Sequence, residues 1–166
     1  PAPPADLVAL RAALAGERVF GIAGEAGQVA ALLPALELGA PRFNGAEPLC
    51  RLQLSDLRVP EGDAVLRRPL TGDLDWLGRW RQSYEAELHG AAELEAVTRH
   101  ISALMAQDRL RILMQGGVPV AITAFNARLP APAQMVQVGG VYTPTAYRGR
   151  GYARLAVALH LAEALS

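Results

Sequence analysis

Two apolar runs, Leu110–Gln115 and Val118–Leu129, are separated by nothing but Gly116-Gly117. A glycine pair between two such runs supplies the positive φ angles of a two-residue hairpin, so this stretch predicts two antiparallel strands with a fixed register. After the loop Pro130-Ala131-Pro132-Ala133, residues 135–143 read as a third strand, interrupted by Gly139-Gly140. Glycines inside a strand lose backbone entropy and pack no side chain, so the pair predicts a bulge and a bend.

Ahead of this block, residues 64–70 read as a strand ended by Thr71-Gly72. Asp73 then stands where it could cap a helix running through Trp76, Leu77, Trp80 and Tyr84 towards Leu88. Aromatics at this spacing usually form core or groove wall. Gly90 breaks that helix, and residues 91–106 predict another, with Leu94, Val97, Ile101, Leu104 and Met105 inward. The first sixty residues read as a small α/β unit: a helix over 6–15 capped by Asp6, a strand over 18–23, a helix over 28–38 and a weaker strand over 49–54. Residues 58–63 carry proline and glycine and little apolar content, which makes them the expected boundary between a subdomain over 1–60 and a domain over 64–166.

Composition bears on partners. With 51% hydrophobic and 19% charged residues the chain is of ordinary globular type. Every basic residue is arginine, and net charge is zero, but the balance is uneven: residues 109–162 hold six arginines and no acid. A cationic block suits a phosphate-bearing ligand and equally suits solvated edges. Overall neutrality without a basic run argues against nucleic acid. One cysteine, Cys50, excludes an intrachain disulfide, and His89, His100 and His160 lack metal-ligand spacing, so no metal is expected. The start Pro1-Ala2-Pro3-Pro4 resembles no leader, and no run approaches the roughly 20 apolar residues that span a bilayer. A cytoplasmic protein without membrane attachment is the expectation.

Pro144 ends the third strand of this block, and Arg148-Gly149-Arg150-Gly151-Tyr152-Ala153 leads into a helix with Leu155, Leu159 and Ala162 on one face. The first N–H groups of a helix lack intrahelical acceptors, and the helix dipole adds positive potential, so a strand–glycine loop–helix junction is a ready anion site. Gly149 and Gly151 let successive N–H groups converge, and Arg148 and Arg150 could add charge-assisted bonds to phosphate oxygens. A tight connection with no ligand remains the plain alternative. Two other phosphate loops fail on named residues: the Walker pattern needs a lysine, and the dinucleotide fingerprint needs glycine or alanine where Arg154 stands.

The stretch Val138-Gly139-Gly140-Val141-Tyr142-Thr143-Pro144, followed by Arg148-x-x-Gly151-x-Ala153, resembles the acetyl-CoA motif Gln/Arg-x-x-Gly-x-Gly/Ala of the GNAT N-acetyltransferase superfamily, in the form of its predicted acetyltransferase branch. The match is tight over 136–160 and follows in element order over about 65–166. It implies an α/β (α+β) fold: a GNAT-like mixed, mostly antiparallel sheet with flanking helices. It also implies an acetyl-CoA-dependent N-acetyltransferase acting by direct attack of an amine. The implied cofactor-binding residues are Val141, Tyr142, Thr143, Arg148, Gly149, Arg150, Gly151, Tyr152, Ala153 and Arg154. The backbones of Val141 and Thr143 would pair with the pantetheine arm, with the Tyr142 side chain on the opposite face. The N–H groups from Gly149 through Ala153, with Arg154, would hold the pyrophosphate, and Arg148 would lie beside it. The N–H of Val141 would polarise the thioester carbonyl.

The resemblance names neither base nor acid. No carboxylate lies between Arg109 and Ala162, leaving a held water or Glu85 and Glu87 as bases, the latter two also readable as a solvated helix face. The family pattern continues with a fifth strand, a fourth helix and further strands, whereas this sequence ends at Ser166; a longer polypeptide is expected, or completion of the sheet by another chain. An apolar helix at that end is prone to pair, a homodimer being the simplest form. A non-catalytic acyl-CoA-binding or interaction module and a purely structural α/β domain stand as alternatives, and the acceptor amine is not legible.

Overall fold

The computed structural model describes residues 7–37, 39–41, 44–48 and 50–164. By contacts the chain forms two compact units, 1–51 and 52–166.

In the second unit the glycine pair does what its position requires. Strands β2 (Leu110–Gln115) and β3 (Val118–Leu129) pair antiparallel, with Gln115 opposite Val118. Gly116 and Gly117 take φ of +57° and +81°, as a two-residue hairpin turn demands. Strand β1 (Val65–Arg67) joins the outer side of β2, and β4 (Met135–Tyr142) joins β3, giving the order β1-β2-β3-β4, antiparallel throughout.

Helices cover both faces. On one lie α3 (Leu74–His89) and α4 (Leu94–Ala106), whose Leu77, Ile101 and Leu104 pack with Leu110, Ile112, Ile122 and Tyr142 of the sheet. Val97, Ile101 and Leu104 recur three and four apart, which puts them on one stripe of α4. On the other face α5 (Tyr152–Glu163) sets Leu155 and Ala156 against Leu113, Val120 and Ala121. A bulge in β3, where Val120 is the extra residue between the pairs Leu113–Ala121 and Met114–Pro119, lets two successive residues join that second core. The architecture is a mixed α/β sandwich of helix, antiparallel sheet and helix.

The aromatic stripe of α3 is wall. Trp76 meets Trp80 edge-on at 4.9 Å, and Trp80 and Tyr84 meet the buried Tyr142 edge-on at 6.0 and 6.3 Å. Such pairs contribute about 0.5–1.5 kcal/mol beyond their buried area.

Several expected boundaries move. Strand β1 is three residues long, because Arg67 and Arg68 turn into ion pairs and Pro69 has no N–H to donate. The second helix begins at Leu94, since Gly90 at φ +91° leads into backbone that stays non-helical through Glu93. Asp73 sits at the N-cap position of α3 without capping it. Its carboxylate accepts instead from Arg67 at 2.6 and 2.8 Å, from the Leu70 N–H at 2.7 Å and from Trp76 Nε1 at 3.1 Å.

The first unit contains α1 (Leu7–Ala13) and α2 (Ala26–Ala35). Glu25 caps α2 through the N–H groups of Gly27 and Gln28, and Arg11 ties the two helices by donating to the Ala35 carbonyl at 2.6 Å and to Glu37 at 2.9 Å. The strand expected over 18–23 is irregular backbone with Phe20 89% exposed, and residues 50–53 form no strand, for among the described residues neither has a partner ladder. Asp6, Leu38 and Leu49, which figured in those expectations, lie outside the described residues.

Candidate functional site

The site is built where β4 ends and α5 begins. Strand β4 closes the sheet order, so its far edge pairs with no other strand among the described residues. Its middle is bent as the glycines predict. Between the pairs Ile122–Tyr142 and Ala124–Gly139, β4 carries one residue more than β3, so Gly140 and Val141 together face Thr123. Gly140 takes φ +61°, and a Cβ there would stand 2.9 Å from Arg81 Nη1. Glycine is required twice over, for the left-handed backbone and for the guanidinium pressed against it. The Asn126 side chain occupies the place that a Cβ on Gly139 would need.

Beyond Tyr142 the chain passes through Thr143 and Pro144 into a single 3-10 turn, Thr145–Tyr147, and then the glycine loop. The Thr143 hydroxyl is buried and without a partner. Gly149 and Gly151 both adopt left-handed φ, +77° and +78°, and a Cβ on either would meet nothing within 4 Å. Gly151 is the N-cap of α5, and having no side chain it cannot take up the first-turn donors as a serine or aspartate would. The consequence is a row of free donors. From Arg148, whose N–H reaches the Thr145 carbonyl at 3.3 Å, the next main-chain bond is Leu155 N–H to the Gly151 carbonyl at 3.0 Å. The N–H groups of Gly149, Arg150, Gly151, Tyr152, Ala153 and Arg154 donate to no acceptor among the described residues. Buried main-chain donors are nearly always paired, and exposed ones at a helix start with the dipole behind them are an anion cradle.

The charged side chains divide. Arg150 and Arg154 are exposed and have no carboxylate partner among the described residues. Arg148, expected beside the phosphates, donates to both oxygens of Glu87 on α3, at 2.8 and 2.7 Å, and through Nε to the Thr143 carbonyl at 2.9 Å. Its guanidinium lies 5.7 Å from the centre of the Tyr142 ring, and the Glu87 carboxylate beside it raises its pKa. Arg148 thus latches α3 to the end of β4. Tyr142 itself is 8% exposed, its ring in the core beneath α3. Val141 and Thr143 are half-buried on either side of it.

The two α3 acids that stood as candidate bases are both in ion pairs, Glu87 with Arg148 and Glu85 with Arg81. Arg81 also stacks on Tyr84 at 4.7 Å, so the bulge at Gly140 is flanked by an ordered Arg81–Glu85 pair. The sequence signalled these acids but not their partners. Among the described residues no group of three or more His, Cys, Asp or Glu could hold a metal ion, and no helix is long and apolar enough to cross a membrane.

No protein-family model matches the chain, and no curated protein matches it. Solved structures do. A possible acetyltransferase from Clostridium difficile 630 is 18% identical with a TM-score of 0.47, over 53% of this chain and 62% of that one. An acetyltransferase of the GNAT family from Colwellia psychrerythraea is 16% identical with a TM-score of 0.47, over 61% of this chain and 35% of that one. A predicted acetyltransferase with acetyl-CoA from Clostridium acetobutylicum is 19% identical with a TM-score of 0.46, over 61% of this chain and 73% of that one. These likenesses span 53–61% of this chain and 35–73% of the acetyltransferases.

Proposed function

We propose that this chain binds acetyl-CoA at the β4–α5 junction and transfers the acetyl group to an amine. The observation that carries the reading is the row of unpaired N–H groups from Gly149 to Arg154, on a loop whose two left-handed glycines leave open space before it. A pyrophosphate fits this cradle in charge and in donor count. The unpaired edge of β4 and the orphaned Thr143 hydroxyl suit an amide-bearing arm laid alongside the strand.

Bound acetyl-CoA would supply an acyl group activated as a thioester. In this reading the Gly149–Ala153 N–H groups and the guanidiniums of Arg150 and Arg154 hold the phosphates, while the main chain of Val141 and Thr143 orients the arm. The N–H of Val141, in the bulge, stabilises the negative charge that develops on the carbonyl oxygen as an amine attacks. Tyr142 acts through packing, holding β4 against Trp80 and Tyr84. We assign the protein to the cytoplasm, where a lone exposed thiol such as Cys50 stays reduced.

A second reading, an acyl-CoA-binding module without turnover, is favoured by one observation: Glu85 and Glu87 are both tied up by arginines, and a carboxylate bound to a guanidinium is a weak proton acceptor. Two measurements decide. Calorimetry of the full chain with acetyl-CoA should show binding that Gly151→Trp abolishes by filling the space before the loop; no binding at all ends both readings. Thiol release from acetyl-CoA with a panel of amines separates transferase from binder, since the module would bind without releasing thiol.

A further inference from the structure

At the opposite end of α5 from the glycine loop lies a cavity of about 500 Å³ whose walls include Arg67, Arg68, Arg111, Arg128, Phe125 and His160. Its charges do not balance. Arg67 is neutralised by Asp73 at 2.6 Å. Arg111, with its side chain 7% exposed, takes Asp108 at 2.8 Å and Glu163 at 2.7 Å, and Arg68 shares the same Asp108 at 3.0 Å. Among the described residues Arg128 is exposed and has no carboxylate partner, so there the guanidiniums outnumber the carboxylates that face them.

The polar accounting also leaves a remainder. His160 is 1% exposed and lies flat on Phe125, ring centres 3.7 Å apart, yet its Nδ1 is buried without a partner. The hydroxyl of Thr123, the cross-strand neighbour of Arg111, is buried and unpaired as well. A buried polar atom left unpaired costs about 1–3 kcal/mol, so the nitrogen of His160, on the cavity wall, marks a place where a bonding partner is missing. Burial first, then the charges of Arg111 and Arg128 against that of Asp108, lower the imidazole pKa and keep the ring neutral, and a neutral ring can still donate one N–H.

We propose that this cavity is a second anion site, separate from the glycine loop, which takes the carboxylate or phosphate group of a small organic acid. The anion bonds to Arg128 and Arg68 at the mouth and accepts from His160 within, while Phe125 gives the rest of the molecule an apolar wall. The volume favours an organic molecule over a bare ion, for ligand sites run to about 300–1,000 Å³ and one water takes about 30 Å³. A cation is disfavoured, because each carboxylate on the wall already faces a guanidinium.

The test follows the His160 ring nitrogens by NMR in the full chain while inorganic phosphate, or separately succinate, is added. It does not depend on acetyl-CoA binding, and Gly151→Trp, which blocks the loop, keeps the two sites apart. The expected result is a saturable shift of the His160 signals in the parent and in Gly151→Trp, with saturation needing at least tenfold more ligand in Arg128→Ala. Arg128 is exposed, so its replacement leaves the fold intact, and Arg128→Lys should recover part of the affinity. Whichever probe saturates first identifies the group as phosphate or carboxylate. No shift with either probe, or an unchanged titration in Arg128→Ala, overturns the proposal.

Discussion

Gly151→Ala separates what the loop contributes to folding from what it contributes to binding, and Gly117→Ala in the β2–β3 turn is its natural control. The two glycines have nearly the same backbone, φ +78° and +81°, and a Cβ on either meets nothing within 4 Å. No steric difference separates them, so each substitution costs only the left-handed penalty of an L-residue, about 1–2 kcal/mol. In a unit of this size that lowers Tm by roughly 4–8 °C. Binding should part them. Gly151 lies in the middle of the free N–H row, and an alanine there puts a methyl before the cradle and favours a backbone that turns the N–H groups apart. The acetyl-CoA Kd should rise at least tenfold, about 1.4 kcal/mol, in Gly151→Ala and stay within about twofold in Gly117→Ala. Thermal unfolding by circular dichroism and calorimetric titration on the same samples provide both numbers. Equal losses of affinity in the two variants, or an unchanged Kd in Gly151→Ala, would refute the assignment of the loop.

Three further outcomes follow from charges whose surroundings are defined. Because Arg148 is engaged with Glu87 while Arg150 and Arg154 are not, Arg150→Ala should weaken acetyl-CoA more than Arg148→Ala and reduce the salt dependence of its Kd, measured from about 50 to 200 mM salt. Asp73 has its carboxyl lowered to about 2, first of all by the Arg67 guanidinium; such a group stabilises the fold above the ordinary value of 3.8 and loses that as pH falls towards 2. Urea unfolding from pH 5 to 2 should show about 1–2 kcal/mol of acid loss that Asp73→Asn lacks. His160, pushed down to about 4 chiefly by burial, works at higher pH: the unfolded chain takes up a proton below 6.5 that the folded one refuses, so stability falls between pH 6.5 and 4. His160→Gln should flatten a limb worth about 2–3 kcal/mol over that range, and a parent flat between pH 7 and 4 would contradict the buried neutral ring.

What could be read in advance was what short-range chemistry decides. The Gly116-Gly117 turn, the bend at Gly140 and the helix after Gly151 each depend on residues within a few positions, and each forms where the sequence places it. The strand expected over 18–23 fails for the converse reason: alternation describes a strand's faces, but a strand exists only if another lies beside it. Asp73 reads as a helix cap from local order, yet Arg67, six residues back and on a strand edge, offers two charge-assisted bonds in place of one neutral one. Arg148 stands at the motif position, and only the packing of α3 against β4 brings Glu87, sixty-one residues earlier, to its guanidinium. The partner that decides what an arginine does lies outside any window in which the motif is visible.

The cationic block over residues 109–162 shows how far composition reaches and where it stops. The sequence establishes that six arginines face no acid within the block. Folding draws acids from outside it to two of them: Glu87 to Arg148, and Asp108 with Glu163 to Arg111. Among the described residues the Arg109 side chain finds only the Asn126 carbonyl, at 3.2 Å. Among the described residues Arg150 and Arg154 remain uncompensated at the start of α5, and Arg128 beside its end, next to His160. The helix dipole favours anions at the first of these ends and cations at the second, so the cations at the loop act with the dipole on a ligand while those at the far end are themselves stabilised by it. An anion at the loop therefore has dipole, main-chain donors and free guanidiniums together, whereas one in the far cavity must be held against the dipole by Arg128, Arg68 and the buried imidazole. The loop should accordingly bind phosphate more tightly than the cavity, and the order of saturation in one phosphate titration, read at the Gly149 and Gly151 amides and at the His160 ring, tests it; the reverse order would mean that the cavity, and not the loop, is the principal anion site of the chain.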